Sequence, residues 1–422
     1  MNIDYGEHGL TFEIPDDANV TILEPTYQSA LSNISQSLRE ALKNPIGAPP
    51  LGTTVKASDY VAIVFSDFTR PVPNRVIIPA ILESLSHVPD SHIILFNATG
   101  THRGNTREEL LELLGEDIVE RFRVIQNNAS DKSSHLMAGV TSSGDEIWLH
   151  REFLSCDYRI LTGAIEPHFF AGFSGGGKAV MPGLAGLETI ELNHSSRNLD
   201  NPNATWGVTH GNPIWEEIQE AALMAHPDFL VNVSLNREKA ITGIFAGDMS
   251  KAHAAGCEFV RNTVMIPVSE PFDIVITSNS GYPLDRNLYQ AVKGMSAASR
   301  IVTPGGSIII AAECRDGIPT GSPFDYLLSL SGSPRRLLEM TDDPNFRHPE
   351  MWQARILSTI LRKADIHLYT ESLTDTEIRK AWLNPCRSIK SALSQLREKY
   401  GEDARICVLP EGPLTAPYLS KL

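Results

Sequence analysis

Short apolar runs alternating with amphipathic stretches constrain this chain more than any other feature. YVAIVFSD (60–67), HIILFNATG (92–100), RVIQNNA (123–129) and DYRILTGAI (157–165) have the length and hydrophobicity of buried strands. RVIIPAILESL (75–85) and REELLELLGEDIVERF (107–122) read as helices between them, and Thr106 with Glu109 forms a capping box at the start of the second. Such βαβα alternation predicts an α/β fold with a mainly parallel sheet covered by helices. The pattern returns as strand, loop, helix and strand in PFDIVITSNSGYPLDRNLYQAVKGMSAASRIVTPGGSIIIAAEC (271–314). At 422 residues the chain is too long for one ordinary core. The expected organisation is therefore an N-terminal α/β domain over 1–268 and a second over 269–403. A tail over 404–422 follows, whose strand ARICVLPEG (404–412) is free to join either. The stretch 315–350, rich in Gly, Pro and Asp, reads as a mobile segment over a cleft.

Ligands bind such sheets beyond the carboxyl ends of the strands, so the residues following each strand carry the functional information. SDFTRPVPN (66–74) supplies Asp67, Phe68, Thr69 and Arg70 in a loop stiffened by Pro71 and Pro73. GTHRGN (100–105) supplies His102. EPHFFAGFSGGGKAVMPG (166–183) supplies His168 and Lys178, and LNHSSRN (192–198) supplies His194. In the second domain Tyr289, Gln290 and Lys293 open a helix, with Lys293 three and four residues beyond the other two and hence on their face. Each has an ordinary structural alternative: an Asp67–Arg70 pair capping a turn, histidines satisfying loop carbonyls, a solvated polar helix face. Their recurrence at successive strand ends favours one site. Phe169, Phe170 and Phe173 are candidates for its lining, although aromatic residues are more often core.

The loop GFSGGGKA (172–179) reads G-x-x-x-x-G-K, but Ala179 stands where a phosphate-binding P-loop has the magnesium-holding hydroxyl. Pro182, Gly183 and Gly186 also follow too closely for a continuous first helix.

Composition narrows the class. Net charge is −15, with no basic stripe, which excludes a nucleic-acid partner on electrostatic grounds. No apolar run reaches the length of a membrane span, and MNIDYGEHGLTFEIP has no signal-peptide pattern. The five cysteines are scattered and lack a C-x-x-C, which argues against a disulfide framework and a structural zinc site and for a reducing, cytoplasmic location.

Five ordered motifs together resemble the nickel-dependent lactate racemase family: D-x-T-R-P-x-P at 67–73, GTHR at 100–103, PHFFAGFSGG-x-K at 167–178, NH at 193–194, and YPLDRNLYQAVKGM at 282–295. The resemblance implies two Rossmann-like domains with the active site in the cleft between them. It also implies inversion of C2 of a 2-hydroxy acid through hydride transfer to a nickel pincer nucleotide. That cofactor is of the Ni(II)-pyridinium-3,5-bisthiocarboxylic acid mononucleotide type and is made by separate cofactor-synthesising enzymes. Lys178 matches the lysine that tethers it, His194 the nickel ligand, and Asp67, Phe68, Thr69 and Arg70 the segment that cradles it. His102 and His168 match the acid–base pair. Gln290, Lys293 and Tyr289 match substrate-binding positions. Gly177 departs from the family, whose members often carry Arg there, and this leaves both a tethered and a non-covalently held cofactor open. Two readings from other classes remain beside it: a nucleotide-dependent kinase or ATPase built on 172–178, and a non-catalytic nickel or nucleotide carrier.

Overall fold

The run at 61–66 becomes strand β1 (Val61–Ser66), which is wholly buried as far as Phe65. Helix α1 (Asn74–Ser84) leads to β2 (Ile93–Ala98), and the chain continues to β3 (Arg123–Gln126) and β4 (Tyr158–Ala164). Helix α2 (Pro213–Met224), β5 (Phe229–Leu235), β6 (Ile241–Gly247) and α3 (Met249–Val264) complete this part. The sheet order is β6-β5-β4-β1-β2-β3, parallel throughout except for the β5–β6 hairpin at one edge. The stretch 107–122 forms two helices, Arg107–Leu114 and Glu116–Arg121, because Gly115 adopts a φ of 89° that closes the first. The capping box of Thr106 and Glu109 forms as expected.

This computed structural model describes residues 1–319, 321–343 and 346–420. It separates into two compact units, 27–263 and 1–26 joined with 264–422. Among the described residues no helix is long and apolar enough to cross a membrane, and all five cysteines are buried thiols.

The second unit is built on β7 (Phe272–Ser278), α4 (Leu288–Ser299), β8 (Val302–Ala311), β9 (Asp365–Tyr369), β10 (Asn384–Cys386) and β11 (Ile406–Leu409). Its sheet runs β10-β9-β8-β7-β11 and ends on the short strand Val20–Ile22, all parallel. This shifts the expected boundaries of 1–268, 269–403 and 404–422. The tail strand joins the second unit because β11 pairs with β7. Residues 1–26 join it too, since Val20–Ile22 pairs with β11 while Ile3, Tyr5 and Phe12 pack beside Ile274, Ile309 and Ile406. Over 315–350, expected as a mobile segment, the described residues include two helices, Pro323–Ser331 and Pro334–Asp342. Pro323 and Pro334 each occupy the first position of a helix, capped by Ser322 and Ser333, where a missing N–H costs nothing. Phe324, Leu327 and Leu337 of those helices are fully buried.

Removing residues 1–22 strips three large apolar side chains from the core of the second unit, at ~1.5–3 kcal/mol each. Denaturant unfolding should show a transition for that unit displaced to much lower concentration; an unchanged midpoint would contradict the packing of Ile3, Tyr5 and Phe12 against that sheet.

Candidate functional site

In the sheet of the first unit the connections from β1 run towards β2 and β3, while those from β4 run towards β5 and β6. The order reverses between β1 and β4, and a crevice opens at such a switch point. A cavity of about 110 Å³ lies there, lined by Ser66, Asp67 and Arg70 after β1, by Thr99, Gly100 and His102 after β2, and by Gly163, Glu166, Gly175 and Lys178 from the end of β4 and its glycine loop.

Asp67 is almost fully buried, yet both carboxylate oxygens are used. Oδ2 lies 2.7 Å from His102 Nδ1, and Oδ1 accepts a 2.7 Å hydrogen bond from Thr69 Oγ1. Burial raises its carboxyl, but the hydrogen bond and charge of His102, supported by Thr69 and Arg70, outweigh this and hold it below the ordinary aspartate value. A carboxylate only accepts, so His102 Nδ1 carries the proton and Nε2 is left as the basic nitrogen. The loop of His102 is braced from beneath: Thr99 Oγ1 donates to Asn127 O, Gly100 N to Gly183 O, and Asn97 Nδ2 to Asn105 Oδ1. Phe68 turns its ring to the Arg103 guanidinium, 4.7 Å from the ring centre.

His168 is arranged the other way. Ala171 N donates to its Nδ1 at 3.2 Å, which places the proton of the neutral ring on Nε2. Its ring meets the edge of Phe170 with 4.5 Å between centroids. Phe170 also meets His194 at 4.8 Å, and Lys178 Nζ lies 5.9 Å from its ring centre. Phe170 is thus the hub around which Lys178, His168 and His194 gather. Burial, with the charge of Lys178, pushes His194 down to about 3, so its imidazole is neutral at neutral pH.

In the second unit, Lys293 Nζ donates to Gln290 Oε1 at 2.6 Å, as their shared helix face requires. Tyr289 packs against Phe324, and Trp352 Nε1 donates to its hydroxyl at 3.3 Å. Residues 5–207 match the model of the lactate racemase N-terminal domain and residues 268–414 that of the lactate racemase C-terminal domain. The lactate racemases of Thermoanaerobacterium thermosaccharolyticum and Lactiplantibacillus plantarum are each 36% identical over 98% of this chain, covering 97% and 98% of their own lengths. The chain belongs to the lactate racemase family. The apoprotein structure of the T. thermosaccharolyticum lactate racemase superposes with a TM-score of 0.92 at 34% identity, covering 99% of both chains. A Thermotoga maritima protein with 19% identity and a TM-score of 0.71, covering 93% of this chain and all of its own, shares the fold.

A Cβ at 177 would lie 3.0 Å from Ala222 Cβ and 3.0 Å from Gln219 Nε2, so the loop rests closely on α2 and a side chain there requires these neighbours to give way. Residues 176–179 form one 3-10 turn and no α-helix starts there, which removes the helix N-terminus that a P-loop needs. The backbone of this loop is held by two side chains that motif reading passes over: Asn232 Oδ1 accepts from Gly176 N at 2.8 Å, and His253 Nε2 donates to Ser174 O at 2.8 Å. Asn232 had a signal, being an amide in the middle of the apolar strand FLVNVSL. His253 had none.

The depressed His194 gives a pH prediction. Its folded value of about 3 lies below the ordinary value of 6.5, so the unfolded chain binds the extra proton between those limits and stability rises with pH across that window. In the apoprotein His194→Asn should flatten the rise in unfolding midpoint between pH 4 and pH 6.5, compared with wild type; an identical slope would mean that the imidazole is not buried as described.

Proposed function

We propose that this chain interconverts the two enantiomers of a 2-hydroxy acid, lactate or a larger analogue, using a nickel pincer nucleotide held in the first unit. Family membership makes it an isomerase of the racemase and epimerase class. The observation that carries the finer reading is the opposite setting of two imidazoles: Asp67 holds a proton on His102 Nδ1, while Ala171 N–H holds His168 Nδ1 unprotonated.

The residues fit the cofactor. Gly175, Gly176 and Gly177 let the loop lie directly against Asn232, His253 and α2, and Gly175 and Lys178 both line the crevice beside Asp67 and Arg70. Lys178 lies near enough to His194 to act on its charge, as a tether and a metal ligand serving one group must. A neutral imidazole suits nickel. His194 would serve as the protein's ligand to the nickel of that group. When bound, the pincer nucleotide supplies a reversible acceptor for the hydride of the α-carbon.

The chain supplies the proton chemistry and the orientation. His102 Nε2 takes the hydroxyl proton of one enantiomer, and the buried Asp67 carboxylate stabilises the imidazolium that results. For the other enantiomer the exchange runs through His168, whose charged form needs a proton on Nδ1 and therefore gives up the Ala171 contact. Arg70 offsets anionic charge in the crevice. Gln290 and Lys293, joined by their hydrogen bond, are the assigned partners of the substrate carboxylate, with Tyr289 beside them.

The test is co-production with the cofactor-synthesising enzymes, followed by nickel per chain, intact mass and a chiral screen that begins with D- and L-lactate. Nickel near one per chain is expected, with an added mass that Lys178→Ala removes; nickel without added mass would mean a cofactor held non-covalently. His102→Asn and His168→Asn should each slow interconversion by roughly 10²–10⁴-fold while nickel stays bound. Wild-type rates in both variants would refute the acid–base assignment.

A further inference from the structure

Helix α2 (Pro213–Met224) carries no residue of the family motifs, yet it touches all three segments that gather around Phe170. At its start, the Asn212 side chain donates from Nδ2 to Phe170 O at 2.9 Å and accepts from Ile214 N and Trp215 N. Near its end, Gln219 and Ala222 lie under Gly177, one residue before Lys178. Between them stands Glu217, a carboxylate only 5% exposed.

Glu217 reaches the turn of His194. Its Oε2 accepts from Asn193 Nδ2 at 2.7 Å and from Asn198 Nδ2 at 3.1 Å, and its Oε1 lies 3.4 Å from Arg197. Asn193 immediately precedes His194, and Asn198 closes the turn by also donating to Asn193 O at 3.0 Å. Asn193 Nδ2 is shared with Ile214 O of the same helix. Arg197 is held in turn by Asp145 at 2.5 Å. One carboxylate therefore ties both ends of the 193–198 turn to the helix that supports the lysine loop. Ionic groups are seldom buried without such partners, because desolvation is costly. Here the partners converge on a single short segment.

We propose that Glu217 is a positioning residue: its carboxylate clamps the turn that carries His194 at a fixed distance from Lys178 and His168, and so governs how firmly nickel is retained. This rests on the reading of His194 as the nickel ligand. Removing an outer-shell partner of a metal ligand typically costs ~10–100-fold in metal affinity. Truncation at Glu217 would remove one of the two acceptors of each asparagine amide and leave Asn198 tied only to Asn193 O within the turn. A glutamine keeps an oxygen for both amides and turns its own N–H₂ towards Asp145, which already interacts with the Glu217 carboxyl.

The experiment uses the full chain loaded with cofactor and follows the loss of nickel to excess EDTA, with circular dichroism and the unfolding midpoint as folding controls. His194→Ala should release nickel fastest. Glu217→Ala should release it at least ~10-fold faster than wild type, and Glu217→Gln should recover to within ~3-fold. If His194→Ala retains nickel as wild type does, the ligand reading fails. If His194→Ala releases nickel and folded Glu217→Ala does not, the clamp fails. Should Glu217→Ala not fold, the same comparison is made with Asn198→Ala, which removes one arm of the clamp; wild-type retention there overturns the proposal.

Discussion

The hydrogen bond between Asp67 and His102 ties the end of β1 to the loop that follows β2, and the chemistry of the crevice depends on it. A carboxylate this deeply buried tolerates no unfilled oxygen, so Thr69 must turn its hydroxyl inwards and the DFTRP segment must wrap around it. The same demand decides which nitrogen of His102 is basic. One electrostatic constraint thus shapes a loop and selects a tautomer; under the proposed acid–base role of His102 it would also supply the counter-charge for the imidazolium.

Backbone packing supplies the other half of the arrangement. The glycine loop lies close against α2 and α3: a Cβ at Gly176 would clash with His253 at 2.5 Å, and one at Gly177 would crowd Gln219 and Ala222 at 3.0 Å. A loop seated this way has little freedom to move away from its supports. Asn232 and His253 then complete the seating through the two backbone atoms that point at them. Within the loop, Ser174 Oγ adds a tie of its own by donating to Ala164 O and accepting from Glu166 N, so Lys178 follows a segment anchored on several sides.

Periodicity and turn chemistry reveal much of this from the residues alone. The strands and helices read between 60 and 165 form close to where hydrophobic runs and a capping box put them, although the hairpin of His135–Val140 and Glu146–His150 is additional; His102 and His168 follow strand ends, whereas His194 caps the helix Leu187–Asn193. Two features resist. Over 315–350 the prolines read as breakers, although proline at the first helical position favours a helix, and only the serine before each one marks the difference. Phe170, which the sequence leaves more often core than site lining, is buried and in contact with two histidines, a combination no local pattern announces. Supports such as Glu217 and His253 lie far from the motifs in sequence, and contacts across such separations leave no local pattern. The ties of residues 1–26 to β11 are hidden for the same reason.

That last pairing bears on how the chain is made. Residues 27–263 form a unit inserted within another, whose large sheet pairs the early strand Val20–Ile22 with β11, ending at Leu409. On the ribosome the earlier segment emerges nearly four hundred residues before its neighbour in the sheet. At ~5–20 residues per second this is a wait of roughly 20–80 seconds, and the inserted unit's sequence is complete before that wait ends. The order of synthesis therefore separates the two folding events in time. The unit that gathers Lys178, His168 and His194 can assemble first, while the one that carries Gln290 and Lys293 closes only when the final strands arrive.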